Sequence, residues 1–216
     1  VSSRIIIVGA GGFGREVHAW AGHAIASGLL PAGVTGFLDD RSDPLDGYGL
    51  EDKLLGRCSD YLPEAGDLFL CAIGDPKAKL QVSSGLRSRG AEFVSLIHPT
   101  AIIGPRCRLG VGCVVCPYAT VTADVTIGDF VCLNAHATVG HDASLGDGCT
   151  LSGHCDITGG ARLGEGVFMG SHAAVLPGVR VGDYATIAAG SVAYHRVAPE
   201  TTAIGVPAKR LAEPTA

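Results

Sequence analysis

Gly140-His141-Asp142 sets an imidazole beside a carboxylate, the minimum equipment for a general base with an orienting partner. A neutral imidazole can accept a proton near neutral pH, and an adjacent acid can hold its ring in one orientation. Eighteen residues on, His141 is matched by Gly159, in Thr158-Gly159-Gly160, and one further step on by Pro177. If residues eighteen apart stack, a bare glycine lies beneath the histidine. The resulting notch would let a reacting carbonyl sit between the ring and a free backbone N–H, which could stabilise an oxyanion. On spacing alone, a solvated surface histidine fits as well.

A second constellation lies near the start of the chain. Gly9-Ala10-Gly11-Gly12-Phe13-Gly14 matches G-x-G-x-x-G after an apolar strand pattern (Arg4–Val8) and before a helical one (Arg15 to about Ala26), with acids about 25 residues on. That is the dinucleotide fingerprint in its expected context. Glycines let backbone N–H groups and a helix N-terminus approach phosphate. Gly11, Gly12, Phe13, Gly14 and Arg15 are therefore candidate ligand contacts, with Asp39 and Asp40 placed to meet ribose or base donors. Gly74, after a third strand (Leu68–Ile73), closes the set. An NAD-dependent oxidoreductase is the rival reading. The unit has room for little more than one mononucleotide-binding half, however, and no separate domain follows to hold a hydride acceptor. A nucleotide attached to another group accounts for both halves of the chain better; a tight turn that binds nothing is the remaining alternative.

The elements that must position these residues are legible from one period. From Ile97 to Ile187, every sixth residue is a large apolar one, sixteen in succession, and four residues after each comes Ala, Cys, Ser or Val. Six fits neither a helix nor simple alternation; it fits short strands joined by sharp corners and stacked as a solenoid. Three hexads make one triangular coil, with the large apolar residue filling the prism and the small one fitting near a corner. Coils stack in parallel at about 4.8 Å, so the five or so here span roughly 25 Å. Glycines following the large residue, as at 110, 128, 140, 146, 164 and 182, are expected to turn the backbone with unusual dihedrals. Before the solenoid, strands alternate with helical stretches, the last from Pro76 to about Arg89, which predicts a parallel sheet flanked by helices. The expected division is a Rossmann-like domain over 1–96 and an all-β parallel β-helix over 97–216, the period changing near His98-Pro99.

Composition narrows the function. The chain has 216 residues, 47% hydrophobic and 17% charged, with net charge −5 and no lysine between Lys79 and Lys209. No clustered basic face suits nucleic acid. No apolar run approaches the roughly 20 residues of a membrane span, and the apolar start is too short for a signal peptide. Of eight cysteines, 107, 113, 149 and 155 fall in the small interior slot, acting as compact hydrophobes. Cys113 and Cys116 form a C-x-x-C whose thiols alternate to opposite faces, so no metal site is expected there. A reduced, cytoplasmic chain is the simplest reading. His136, His154 and His172, with Tyr118 one coil earlier, stack as a ladder that is either surface decoration or a metal site between subunits.

The Gly-rich turn, Asp39-Asp40, Ala72-Ile-Gly-Asp75, Ile97-His-Pro-Thr-Ala101, Gly140-His-Asp142 and Ile204-Gly-Val-Pro-Ala-Lys209 occur together in this order. With the hexad repeat, the whole chain resembles the bacterial nucleotide-amino-sugar N-acetyltransferases and the related sialic-acid O-acetyltransferases. The resemblance implies a left-handed β-helix, a homotrimer with active sites between subunits, and a place in O-antigen biosynthesis. It implies acetyl transfer from acetyl-CoA, without a metal, to the C4 amine of a nucleotide-linked 4-amino-4,6-dideoxy sugar, GDP-perosamine being the expected acceptor. His141 becomes the general base, Asp142 its supporting acid and Gly159 the oxyanion donor. The Gly-rich turn, Asp39, Asp40 and Gly74 become the nucleotide-sugar loop. Coenzyme A contacts map to Thr150, Gly159, Ser171 and Ala189, and to Gly205, Pro207 and Lys209. At the position of Thr150 some relatives carry a second histidine, a departure that bears on the thioester contact. The family's alternative is O-acetylation of a sugar hydroxyl with the same base.

Overall fold

Arg4-Ile-Ile-Ile-Val8 is an unbroken aliphatic run, as expected of a strand covered on both faces. In a computed structural model, which describes residues 3–211 (the side chain of residue 52 excepted), it is the central strand β1 (Arg4–Val8). Around it lie β2 (Val34–Leu38), β3 (Leu54–Gly56), β4 (Asp67–Cys71) and β5 (Glu92–Phe93), all parallel, in the order β3-β2-β1-β4-β5. Helices α1 (Gly12–Ala26) and α2 (Pro76–Ser88) complete the α/β unit. α2 starts cleanly because Asp75 caps it, its side chain accepting from the Ala78 N–H at 2.8 Å, with Pro76 in the first turn.

Two local expectations are corrected. α1 begins at Gly12, not Arg15: Gly11 is the extended residue before it, and the Arg15 N–H already closes the first turn on the Gly11 carbonyl. Phe13 and Gly14 therefore belong to the helix, and Gly14 is required because any Cβ there would collide with the Gly9 carbonyl. The short β3 had no signal, since three residues are too few to show a period.

The solenoid begins at Leu96–Ile97 and repeats as two-residue strands at every hexad. Strands eighteen residues apart pair in parallel, as Thr138 with Asp156 and Val139 with Ile157, forming three sheets that are the prism's three faces. The inward residues form one continuous core in which Val121, Leu133, Val139, Leu151, Ile157 and Met169 are fully buried, with Ala119, Cys149, Cys155 and Ala173 in the small slots. Cys113 lies in this core, while Cys116 faces the α/β unit. No cysteine is bridged.

The expected role of the glycines beside the large residue is also corrected. None of 110, 128, 140, 146, 164 or 182 has positive φ; a Cβ there would press into the neighbouring coil, so they permit close stacking. The left-handed residue comes two positions later, at Gly112, Gly148, Gly160 and Gly166 but also at Tyr118, Asp142, His136, His154 and His172. The histidine ladder is thus a row of corner residues. Its rings stack at 4.8 Å and within 3° of parallel. Ring nitrogens direct their lone pairs in the ring plane, so stacked faces do not converge on an ion. Among the described residues no group of three His, Cys, Asp or Glu could hold a metal.

The α/β unit docks on one face of the prism. Leu96, Val114, Cys116 and Cys132 join its core, and Phe130 meets Phe93 edge-on at 5.0 Å. The prism corner carrying residues 141–142 joins the two other faces, and so lies opposite the docked unit. No described helix is long and apolar enough to cross a membrane.

Candidate active site

His141 stands on an exposed corner because the backbone must turn there, and Asp142 takes the left-handed conformation (φ 61°) that completes the turn. The two side chains meet, His141 Nδ1 lying 2.7 Å from Asp142 Oδ2. A carboxylate at Nδ1 fixes the proton on that nitrogen and leaves Nε2 with a free lone pair. Gly159 lies directly under the ring: a Cβ built on it would stand 2.7 Å from both Cε1 and Nε2. It is Gly160, not Gly159, whose N–H bonds the His141 carbonyl, at 2.8 Å. The Gly159 N–H donates to no group among the described residues. In its neutral form the ring has an acceptor at Nε2, and the Gly159 backbone lies against that end of it, an arrangement that can take a proton while a nearby amide holds an oxyanion.

Across the molecule, the Gly-rich turn forms a second cleft of about 350 Å³, lined by Gly9, Gly11, Gly12, Phe13, Asp39, Asp40, Arg41 and Gly74 among others. Asp39 is 8% exposed, and its oxygens are engaged internally. They accept from the Ala10 N–H at 2.8 Å, the Arg41 N–H at 3.0 Å and the Arg41 guanidinium at 2.9 and 2.8 Å. Burial pushes this carboxyl up, but the Arg41 and Ala10 hydrogen bonds outweigh it and hold it below the ordinary carboxylate range. Asp39 therefore shapes the turn, whereas Asp40, bonded to the Ser59 N–H by one oxygen, retains a second. Arg15 stacks on Tyr48, 3.5 Å from the ring centroid. Arg41, which sequence reasoning missed, brings its guanidinium over Gly11. Its signal was a cation two residues after Asp39, the acid that follows β2.

Thr150 lines an adjoining cleft of about 260 Å³ between Gly12, Phe13 and Gly74 on one side and Asn134 and Ser152 on the other. Its hydroxyl donates to the Gly74 carbonyl at 2.8 Å and accepts from Lys79 Nζ at 2.7 Å. Of the other expected coenzyme contacts, Ser171 and Ala189 sit exposed on the histidine-ladder corner, and Gly159 on the 141 corner. Within one chain they are not brought together. Gly205, Pro207 and Lys209 lie exposed at the end of the prism, where the Gly205 N–H bonds Ser191 Oγ at 2.9 Å. The Pro- and Ala-rich residues 212–216 lie outside the described residues. A larger cleft of about 550 Å³ between α2 and the corner at Phe130 contains none of the expected residues, and its Asp129 and Asp147 bond backbone N–H groups of neighbouring corners.

Known proteins share this design. The PglD N-terminal domain family matches residues 4–86, and the hexapeptide repeat of succinyl-transferase matches 160–194. PerB from Caulobacter crescentus, solved in complex with CoA and GDP-perosamine, is 31% identical, with a TM-score of 0.85 over 98% of this chain and 99% of that one. The chain belongs to the hexapeptide-repeat nucleotide-amino-sugar N-acetyltransferases. The acetyltransferase domain of PglB from Neisseria gonorrhoeae FA1090 is 28% identical, with a TM-score of 0.87 over 97% of this chain and all of that one. The same domain has been solved with acetyl coenzyme A. The GDP-perosamine N-acetyltransferase of Escherichia coli O157:H7 is 26% identical over 132 residues, a match that spans 58% of that protein's length.

Proposed function

We propose that this family member transfers an acetyl group from acetyl-CoA to the C4 amine of a nucleotide-linked 4-amino-4,6-dideoxy sugar, with GDP-perosamine as the acceptor. The observation that carries the reading is the 141 corner: an imidazole fixed by Asp142 at Nδ1, free at Nε2, above an amide with no other partner. The amine nitrogen attacks the thioester carbonyl carbon while His141 Nε2 takes the amine proton. The Gly159 N–H stabilises the tetrahedral oxyanion. Collapse breaks the C–S bond, and the departing CoA thiolate takes the proton from the imidazolium. Transfer is direct. Cys155, the thiol nearest Gly159 in sequence, is 1% exposed, faces the prism core and donates to the Gly170 carbonyl. Burial pushes it up to about 11, far from a nucleophilic thiolate.

The nucleotide-sugar cleft and the 141 corner lie on opposite sides of one chain, so the reading includes a homotrimer with sites shared between protomers. The Gly-rich turn and Thr150 of one protomer would face His141 of the next. Coenzyme A would lie along that seam, touching Gly159 of one chain and Ser171, Ala189 and the Gly205–Lys209 segment of its neighbour. The reaction would take place in the cytoplasm, where acetyl-CoA is available. The test is CoA-thiol release from acetyl-CoA with GDP-, UDP- and dTDP-linked 4-amino sugars, alongside hydroxyl-bearing sialic acid. Rapid release with the GDP-linked amine supports the proposal; release with sialic acid alone, or with none of them, refutes it.

A further inference from the structure

Lys79, on the first turn of α2, is 1% exposed and has no part in the steps above. Its Nζ donates to Thr150 Oγ1 at 2.7 Å and to the Cys149 carbonyl at 3.2 Å. Among the described residues no carboxylate pairs with it. A buried ammonium without a counter-charge loses much of its solvation, and a methionine would fill the same space without that loss. Packing alone does not account for a lysine here.

The hydrogen-bond chemistry points to its role. A threonine hydroxyl has one proton and two lone pairs, whereas an ammonium can only donate. With Lys79 occupying a lone pair, the Thr150 proton is directed away from it, and it goes to the Gly74 carbonyl at 2.8 Å. Gly74 lies three residues past the carboxyl end of β4 and lines both the nucleotide cleft and the adjoining cleft beside the prism. The chain Lys79–Thr150–Gly74 thus pins the wall of the nucleotide pocket to the solenoid.

We propose that Lys79 is a positioning residue: by fixing the Thr150 proton toward Gly74, it sets the distance between the nucleotide-sugar cleft and the prism wall along which the acyl donor lies. This rests on the acetyl-transfer reading above. Replacing Lys79→Met is expected to raise the KM for GDP-perosamine and lower kcat, each by about tenfold, the size expected on losing a hydrogen bond to a charged group. Tm should hold or rise, because the uncompensated charge is gone. Thr150→Val should give the same rise in KM and fall in kcat, with a lower Tm because the buried ammonium loses its acceptor; Thr150→Ser should restore KM to within about twofold, and the Lys79→Met/Thr150→Val pair should be kinetically no worse than the weaker single variant. Wild-type KM and kcat in K79M, or a fall in Tm with unchanged kinetics of the folded fraction, would show a structural tie and overturn the inference. If K79M does not fold, the T150V and T150S pair decides by the same criteria. Calorimetric binding of GDP-perosamine, weakened in K79M, reads the inference without turnover. Failure of the wild type to release CoA would instead count against the acetyl-transfer reading itself.

Discussion

Gly159→Ala is a sharp test of the 141 corner, because it adds one methyl group and removes nothing. That methyl would stand 2.7 Å from Cε1 and Nε2 of His141. Comfortable carbon contact begins at about 3.5 Å, so the ring must withdraw by about 0.8 Å. Backbone strain does not contribute, since Gly159 is outside the left-handed region, and the site is a partly exposed corner. Moving the ring strains its 2.7 Å bond to Asp142 and lifts Nε2 from where the amine proton must be delivered. A misplacement of about 1 Å in a reacting group costs on the order of 100-fold. The expected result is a kcat about 100-fold lower, with Tm within about 2 °C of wild type. Continuous CoA-thiol release gives kcat, and a thermal melt gives stability. A kcat within about threefold of wild type would mean that the imidazole does not work over Gly159.

The remaining predictions concern the groups around both clefts. His141→Ala should lower kcat by more than about 100-fold and Asp142→Asn by at least about tenfold, both measured by thiol release; near-normal turnover in H141A would remove it as the base. Asp39→Ala should lower Tm by several degrees, because the Ala10 N–H and Arg41 lose their acceptor, while Asp40→Ala should leave Tm unchanged and raise the KM for the nucleotide sugar. The reverse pattern would reassign the two acids. His98, held below the ordinary histidine value by burial and by His23 at 2.9 Å, favours its neutral form when folded. Its contribution is complete above the unfolded value of about 6.5 and is lost as pH falls through the depressed one, so Tm should decline from about pH 7 to 5. His98→Asn should flatten that decline; an unchanged slope would place its origin elsewhere.

The solenoid was legible because its period is strict: Val139 and Ile157 stack where modular counting puts them, and Gly159 falls beneath His141 for the same reason. The α/β unit was legible in outline from Arg4–Val8 and the Gly-rich turn. What escaped reading is tertiary. Asp39 looked like a ligand contact, yet Arg41 and Ala10 occupy it, and nothing in a local pattern distinguishes a free carboxylate from an engaged one. Lys79 fits an ordinary helical surface pattern; only the docking of α2 on the prism buries it beside Thr150. The left-handed corners were misassigned by two residues because glycine serves both close stacking and turning, and the residue type alone does not say which.

The docked unit lies on one face of the prism and His141 on the facing corner, so under the proposed acetyl transfer each protomer would carry two half-sites that look in opposite directions. Joining unlike halves head to tail is a heterologous contact, which either leaves an unmatched half at each end or bends round until the last copy meets the first. A two-fold pair would bring like surfaces together and complete neither half. Under the proposed reading the contact would have to close into a ring, and cyclic closure would leave as many whole sites as there are chains.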